Sequence, residues 1–173
     1  MKTAIRSSRQ LLMIAGVLSA AGMLVSCTTT PVQLSAVGPE PPVIHSALGQ
    51  GSLVVYSDTE PKRLDNGPPF YVHKSYLIED QSGRILRWVP NHLGDMDEVP
   101  ARVILPAGTF QIVAESTGYG QVHVPVVIEP GRTTAVHLDG DWKPSEEPTN
   151  AADLVRLPDA EIVGWRAPGY AQK

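Results

Sequence analysis

The side chains best able to do chemistry lie toward the C-terminal half of this chain. His123, His137 and Asp139 offer two imidazoles and a carboxylate. Zinc accepts that donor set while keeping a fourth position open. Val122, Val124, Val126 and Ile128 form one alternating apolar stripe, Val136 and Leu138 another, with Glu129-Pro130-Gly131-Arg132 between them as a bend. Pairing these stripes as a hairpin, with Val126 opposite Val136 and Val124 opposite Leu138, sets His123 opposite Asp139. His137 then lies diagonally across the same outward face. Diagonal neighbours stand about 7–8 Å apart at Cα, close enough for two imidazoles to share an ion. Solvated histidines on an edge hairpin are the commoner source of such a pattern, and no cofactor is assigned.

Other candidates carry less chemistry. Asp95, Asp97 and Glu98 place oxygen donors close together, but the acid–glycine–glutamate order of a calcium loop is missing. An acidic solvated loop is the expectation there. Trp88, Tyr119 and Trp142 could stack on sugar rings or anchor an interface. Trp142, in a polar loop, is expected to be the most exposed of them, whereas Trp88 beside Val89 could equally belong to the core and Trp165 is expected to pack. A Lys–Asn cross-link from Lys74 would need an asparagine within the strands, and none is expected. No nucleophile elbow, phosphate-cradling Gly-Lys loop or zinc-protease histidine pair occurs. The chain is not expected to be an enzyme.

The elements that would position these residues are short strands. Ser52–Ser57, Phe70–Ile78, Arg84–Val89, Ala101–Leu105, Thr109–Ser116, Gln121–Ile128 and Thr133–Leu138 are β-branched or alternating runs. Asp80-Gln81-Ser82-Gly83, Pro106-Ala107-Gly108 and Thr117-Gly118-Tyr119-Gly120 stand between them as turns. The expected fold is all-β, a seven-stranded antiparallel sandwich over residues 51–138. Residues 139–173 form a C-terminal extension that packs back through Leu154, Ile162, Val163 and Trp165.

The N-terminus resembles a bacterial lipoprotein signal. Lys2, Arg6 and Arg9 precede an apolar run from Leu11 to Val25, and Leu24-Val25-Ser26-Cys27 follows the pattern of a lipobox. The run of about fifteen residues is shorter than the roughly 20 that cross a bilayer as a helix. By this resemblance, residues 1–26 are removed between Ser26 and Cys27, and Cys27 carries diacylglycerol and a further acyl chain such as palmitate. Thr28 after the cysteine, in place of an aspartate, implies sorting to the outer membrane of the cell envelope, in either leaflet, with the periplasm as the compartment it passes through or faces. Residues 27–50, rich in Thr, Ser and Pro, are expected to be a solvated tether.

Cys27 is the only cysteine, so no disulfide forms within the domain. Loss of the signal leaves eleven basic residues against eighteen acidic, a net charge of −7. Nucleic acid is not expected as a partner, because it requires a basic surface.

Leu105-Pro106-Ala107-Gly108-Thr109-Phe110, followed by Ile128-Glu129-Pro130-Gly131-Arg132-Thr133-Thr134, is similar to the carboxypeptidase regulatory-like (transthyretin-like) domains and their PEGA-like relatives. The resemblance covers roughly residues 51–138 and implies an accessory β-sandwich with no shared catalytic residues. The expected function is a lipid-anchored, non-catalytic envelope module that contacts another envelope protein or the cell-wall polymer. A carbohydrate-binding module using loop aromatics is the alternative, and a metal-binding protein a more distant one.

Overall fold

The computed structural model describes residues 32–40, 49–92, 94, 96–140, 142–145, 148 and 150–168. Ser26 and Cys27 lie outside the described residues. In chain order the strands are β1 (Val32–Gln33), β2 (Gln50–Tyr56), β3 (Thr59–Lys62), β4 (Phe70–His73), β5 (Tyr76–Glu79), β6 (Ile85–Val89), β7 (Arg102–Pro106), β8 (Gly108–Ser116), β9 (Gly120–Ile128), β10 (Thr133–His137), β11 (Leu154–Arg156) and β12 (Ile162–Trp165). Among the described residues one 3-10 turn, Ala151–Asp153, is capped reciprocally by Asn150 and Asp153. No helix among the described residues is long and apolar enough to cross a membrane.

The protein is all-β, and two sheets share its core. One has five strands in the order β1-β9-β8-β5-β6, the other three in the order β10-β2-β7. Period-two alternation turns Tyr76, Ile78, Ile112, Ala114, Val124 and Val126 of the larger sheet inward. Leu53, Val55, Val103, Leu105 and Val136 of the smaller sheet meet them in one continuous cluster. Each fully buried valine or leucine contributes about 1.5–3 kcal/mol. The expected strand from Phe70 to Ile78 is two strands. Ser57 Oγ donates to the Lys74 carbonyl at 2.6 Å and Lys74 N to Asp58 O at 2.8 Å, which bends the chain there. β4 then pairs with β3 outside the main sheets. Pro61, which lacks an N–H, is tolerated in β3 because that strand has a single partner.

Two expectations need correction. The strands are not all antiparallel, since β10 runs parallel to β2 and β1 parallel to β9. The residues on either side of Pro130-Gly131 do not form a hairpin, because β9 and β10 belong to different sheets. Gly51 explains the switch. A Cβ there would lie 2.2 Å from the Glu129 carbonyl oxygen and 2.9 Å from that of Arg132. Its absence lets the 129–132 turn press onto β2. Gly131, in the left-handed region at φ 70°, donates to Gln50 O at 2.7 Å, and Ser52 N donates to Arg132 O at 2.9 Å. β10 is thereby delivered to β2, with Thr133 beside Ser52 and His137 beside Tyr56.

The expected tether is also corrected in part, because residues 34–39 are packed into the fold. Val37 N donates to Pro125 O at 2.8 Å, and Val37 O accepts from Val127 N at 2.9 Å. On the other side Gly38 N donates to Trp165 O at 2.8 Å and Ala167 N to Ala36 O at 3.0 Å. Leu34, Ala36 and Val37 are buried. Thr/Pro-rich composition concealed this segment, whose apolar residues are few but all used. In the C-terminal extension β11 pairs with β12; of the four residues expected to pack, Leu154 and Val163 are buried and Ile162 and Trp165 half-buried, and Val155 and Leu157 are buried beside them. Replacing Val37 with alanine should therefore destabilise the protein by about 1–3 kcal/mol in urea unfolding. A solvated tether would leave the midpoint unchanged.

Candidate functional site

The three metal candidates are not brought together in the geometry the sequence suggested. His123 lies on β9 opposite Val113 of β8, and its Nδ1 sits 2.8 Å from the Gln111 amide nitrogen, which donates to it. His137 ends β10 in the other sheet, and Asp139 follows just beyond that strand. Among the described residues no group of three His, Cys, Asp or Glu side chains is arranged to hold a metal ion. The register that would have joined them depended on the hairpin that Gly51 prevents.

His137 is instead part of an aromatic stack. Its ring lies parallel to Tyr56 at 4.5 Å and to Trp142 at 4.1 Å, with interplanar angles of 10° and 9°. Tyr56 in turn meets His73 edge-on at 5.7 Å. Trp142, expected to be the most exposed aromatic, is half-buried with one face against the imidazole. Tyr119 is half-buried against the core, and Trp165 is half-buried on β12. Neither Trp88 nor Tyr119 is in ring contact with Trp142 among the described residues. The three loop-aromatic candidates thus do not make one stacking platform.

The remaining charged candidates hold structure together. Asp97 accepts from Val99 N at 3.0 Å and Glu98 from Tyr71 N at 2.7 Å, so both fasten backbone; Asp95 lies outside the described residues. Lys74 Nζ is 2.7 Å from Asp58 Oδ2 and 2.6 Å from Glu115 Oε2. Amide formation between such groups needs a neutral amine and a protonated acid. Hydrogen bonds donated to Asp58 and Glu115 push the Lys74 ammonium above its ordinary range. Burial works to raise Asp58, yet hydrogen bonds from Lys74 and Thr117 bring it below the usual carboxylate value. Both shifts favour the ion pair, not the coupling reaction.

What stands open is the edge of the larger sheet. β6 is its end strand, so one side of its backbone has no strand partner among the described residues. Trp88 pairs with Leu77 and Arg87 with Ile78, but the next pair is Ile85 with Glu79, leaving Leu86 extra. This bulge turns Ile85 onto the same outward face as Trp88, although the two are three residues apart. Ile85 is 58% exposed, Leu86 45% and Trp88 60%. Composition had left Trp88 between core and surface; only its place at the sheet end decides the matter.

Burial pushes the His137 imidazole down to about 4 from an ordinary 6.5. The unfolded chain takes up a proton near 6.5 and the folded chain only near 4. Within that window the unfolded state holds the extra proton, so stability falls as pH falls, by at most about 1.4 kcal/mol per pH unit. Below the folded value this contribution levels off. Urea unfolding between neutral pH and the lower end of the window should show a steeper loss for the wild type than for His137→Phe. Equal slopes would contradict the assignment.

No family model matches the chain, and no curated protein or solved structure matches it.

Proposed function

We propose that the protein is a lipid-anchored, non-catalytic module of the cell envelope that binds another envelope protein through the open edge of β6. The single observation that carries this reading is the exposed apolar strand at the sheet end, Ile85, Leu86 and Trp88. Edge strands left unpaired and apolar invite association, and folded proteins usually blunt them with lysine, proline or a covering loop. A partner strand added to β6 would gain main-chain hydrogen bonds, and Ile85 and Trp88 would supply apolar contact beside them.

The anchor in this reading is Cys27, lipidated after cleavage at Ser26, and two acyl chains suffice for stable attachment. Its support is the charge, apolar run and lipobox pattern of the N-terminus. The finer fold reading, a transthyretin-like sandwich, belongs to the same proposal. With β1 set aside, β9-β8-β5-β6 on one side and β10-β2-β7 on the other supply a framework of four and three strands. An outer-membrane address is the location most consistent with Thr28.

The test is photo-crosslinking in cells making the full-length protein, with a benzophenone amino acid at Trp88 or, as a control, at the exposed Glu60 of β3. A discrete adduct from position 88 alone is expected. Absence of any adduct, or the same adduct from both positions, would exclude a binding edge. Labelled palmitate should enter the wild type and not Cys27→Ser.

A further inference from the structure

A second surface lies on the outward face of the three-stranded sheet. Ser52, Arg102, Ile104 and Thr133 line a shallow cleft of about 400 Å³ there. Register assembles it: Ser52 of β2 stands beside Thr133 of β10 on one side and Ile104 of β7 on the other. Arg102 Nη1 donates to Ser52 Oγ at 3.1 Å and to Thr133 Oγ1 at 3.0 Å. The two hydroxyl oxygens are themselves 2.8 Å apart. This triangle fixes the guanidinium plane.

The donors left over all point to an anion. A guanidinium has five N–H groups in a rigid fork. The Nη1 pair is used, so Nε–H and both Nη2–H groups have no acceptor among the described residues. One hydroxyl donates to the other, and the second keeps its proton for a ligand. Arg102 also forms no ion pair among the described residues. Arg132, at the rim, is neutralised by Glu129 at 2.5 Å and donates to the Glu40 carbonyl at 2.6 Å. Among the described residues no carboxylate lines the cleft. Its net charge is that of one arginine.

We propose that this cleft binds the terminal carboxylate of a peptide. One positive charge with a planar pair of donors matches a monoanionic carboxylate better than a phosphate dianion. Ile104, 55% exposed, gives the last side chain of the peptide an apolar seat. A sugar acid would want an aromatic ring to stack on, and none among the described residues lines the cleft. β7 is the end strand of its sheet, so the preceding peptide residues can hydrogen-bond along its free side. The cleft and the β6 edge belong to different sheets, so either proposal can fail without the other.

Full-length protein in detergent micelles, titrated with acetyl-alanyl-alanine and followed by amide NMR shifts, tests the idea. The peptide acid should bind at least about tenfold more tightly than its C-terminal amide, because the charged contact is lost. Arg102→Gln should weaken the acid at least about tenfold, and Thr133→Val by about threefold, as expected for losing one hydrogen bond. Circular dichroism of both variants should match the wild type; should either be unfolded, the acid-against-amide comparison on the wild type decides. Equal binding of acid and amide, no shift with any probe, or unchanged affinity in a folded Arg102→Gln would overturn the proposal. Glucuronate or inorganic phosphate binding as tightly as the peptide acid would overturn the peptide assignment.

Discussion

The main-chain hydrogen bonds around Val37 tie the start of the described chain to the larger sheet and to the C-terminal hairpin at once. One short segment bonds to β9 through Pro125 and Val127 and, through its neighbours Ala36 and Gly38, to the end of the C-terminal hairpin. Close approach is enforced on both sides. A Cβ at Gly38 would lie 2.6 Å from Ala167 Cα, and one at Gly164 only 2.8 Å from Val37 Cγ1. The side chain of Val37 is wholly buried in the same cluster as Val126, Val155 and Val163. The chain thus uses residues from its two ends to close one flank of the core. With no disulfide available, packing and backbone pairing carry that closure alone.

Buried polar groups do the comparable work at the opposite end of β2. Asn91 Nδ2 donates to Val55 O at 2.7 Å and to Ser57 Oγ at 3.0 Å, while its Oδ1 accepts from Ala101 N at 3.1 Å. His73 Nδ1 sits 2.7 Å from Ser57 O. A fully satisfied network of this kind specifies one arrangement, because any displaced member leaves a buried group without a partner. Asn91 follows β6 by two residues. The exposed edge therefore projects from a fixed post, and its apolar residues are displayed by a rigid frame.

Much of the fold was legible in the chain. Alternation identified β2, β6, β7, β8, β9 and β10 to within about two residues at each end, and the right residues face the core. Alternation says which side of a strand is apolar; it does not say which strand lies beside it. Val126 and Val136, expected side by side, are both buried in one cluster but belong to different sheets. The determinant was a steric one at Gly51, seventy-eight positions before Glu129 in the chain. Without that hairpin the metal candidates His123, His137 and Asp139 are not grouped. β1 and β3 went unread because one is two residues long and the other contains Pro61. Arg102 carried no local signal, since its significance comes from two hydroxyls on different strands.

The packing of residues 34–39 also sets how far the globule could stand from Cys27. Only five peptide steps separate Cys27 from Val32, and a fully extended chain covers at most about 3.5 Å per residue. If acyl chains hold that sulfur at the bilayer, the leash is shorter than roughly 20 Å. Under that condition the body would be held close to the bilayer and could not range far from it. Any partner of a body held that way would have to come to the lipid surface, or already reside there.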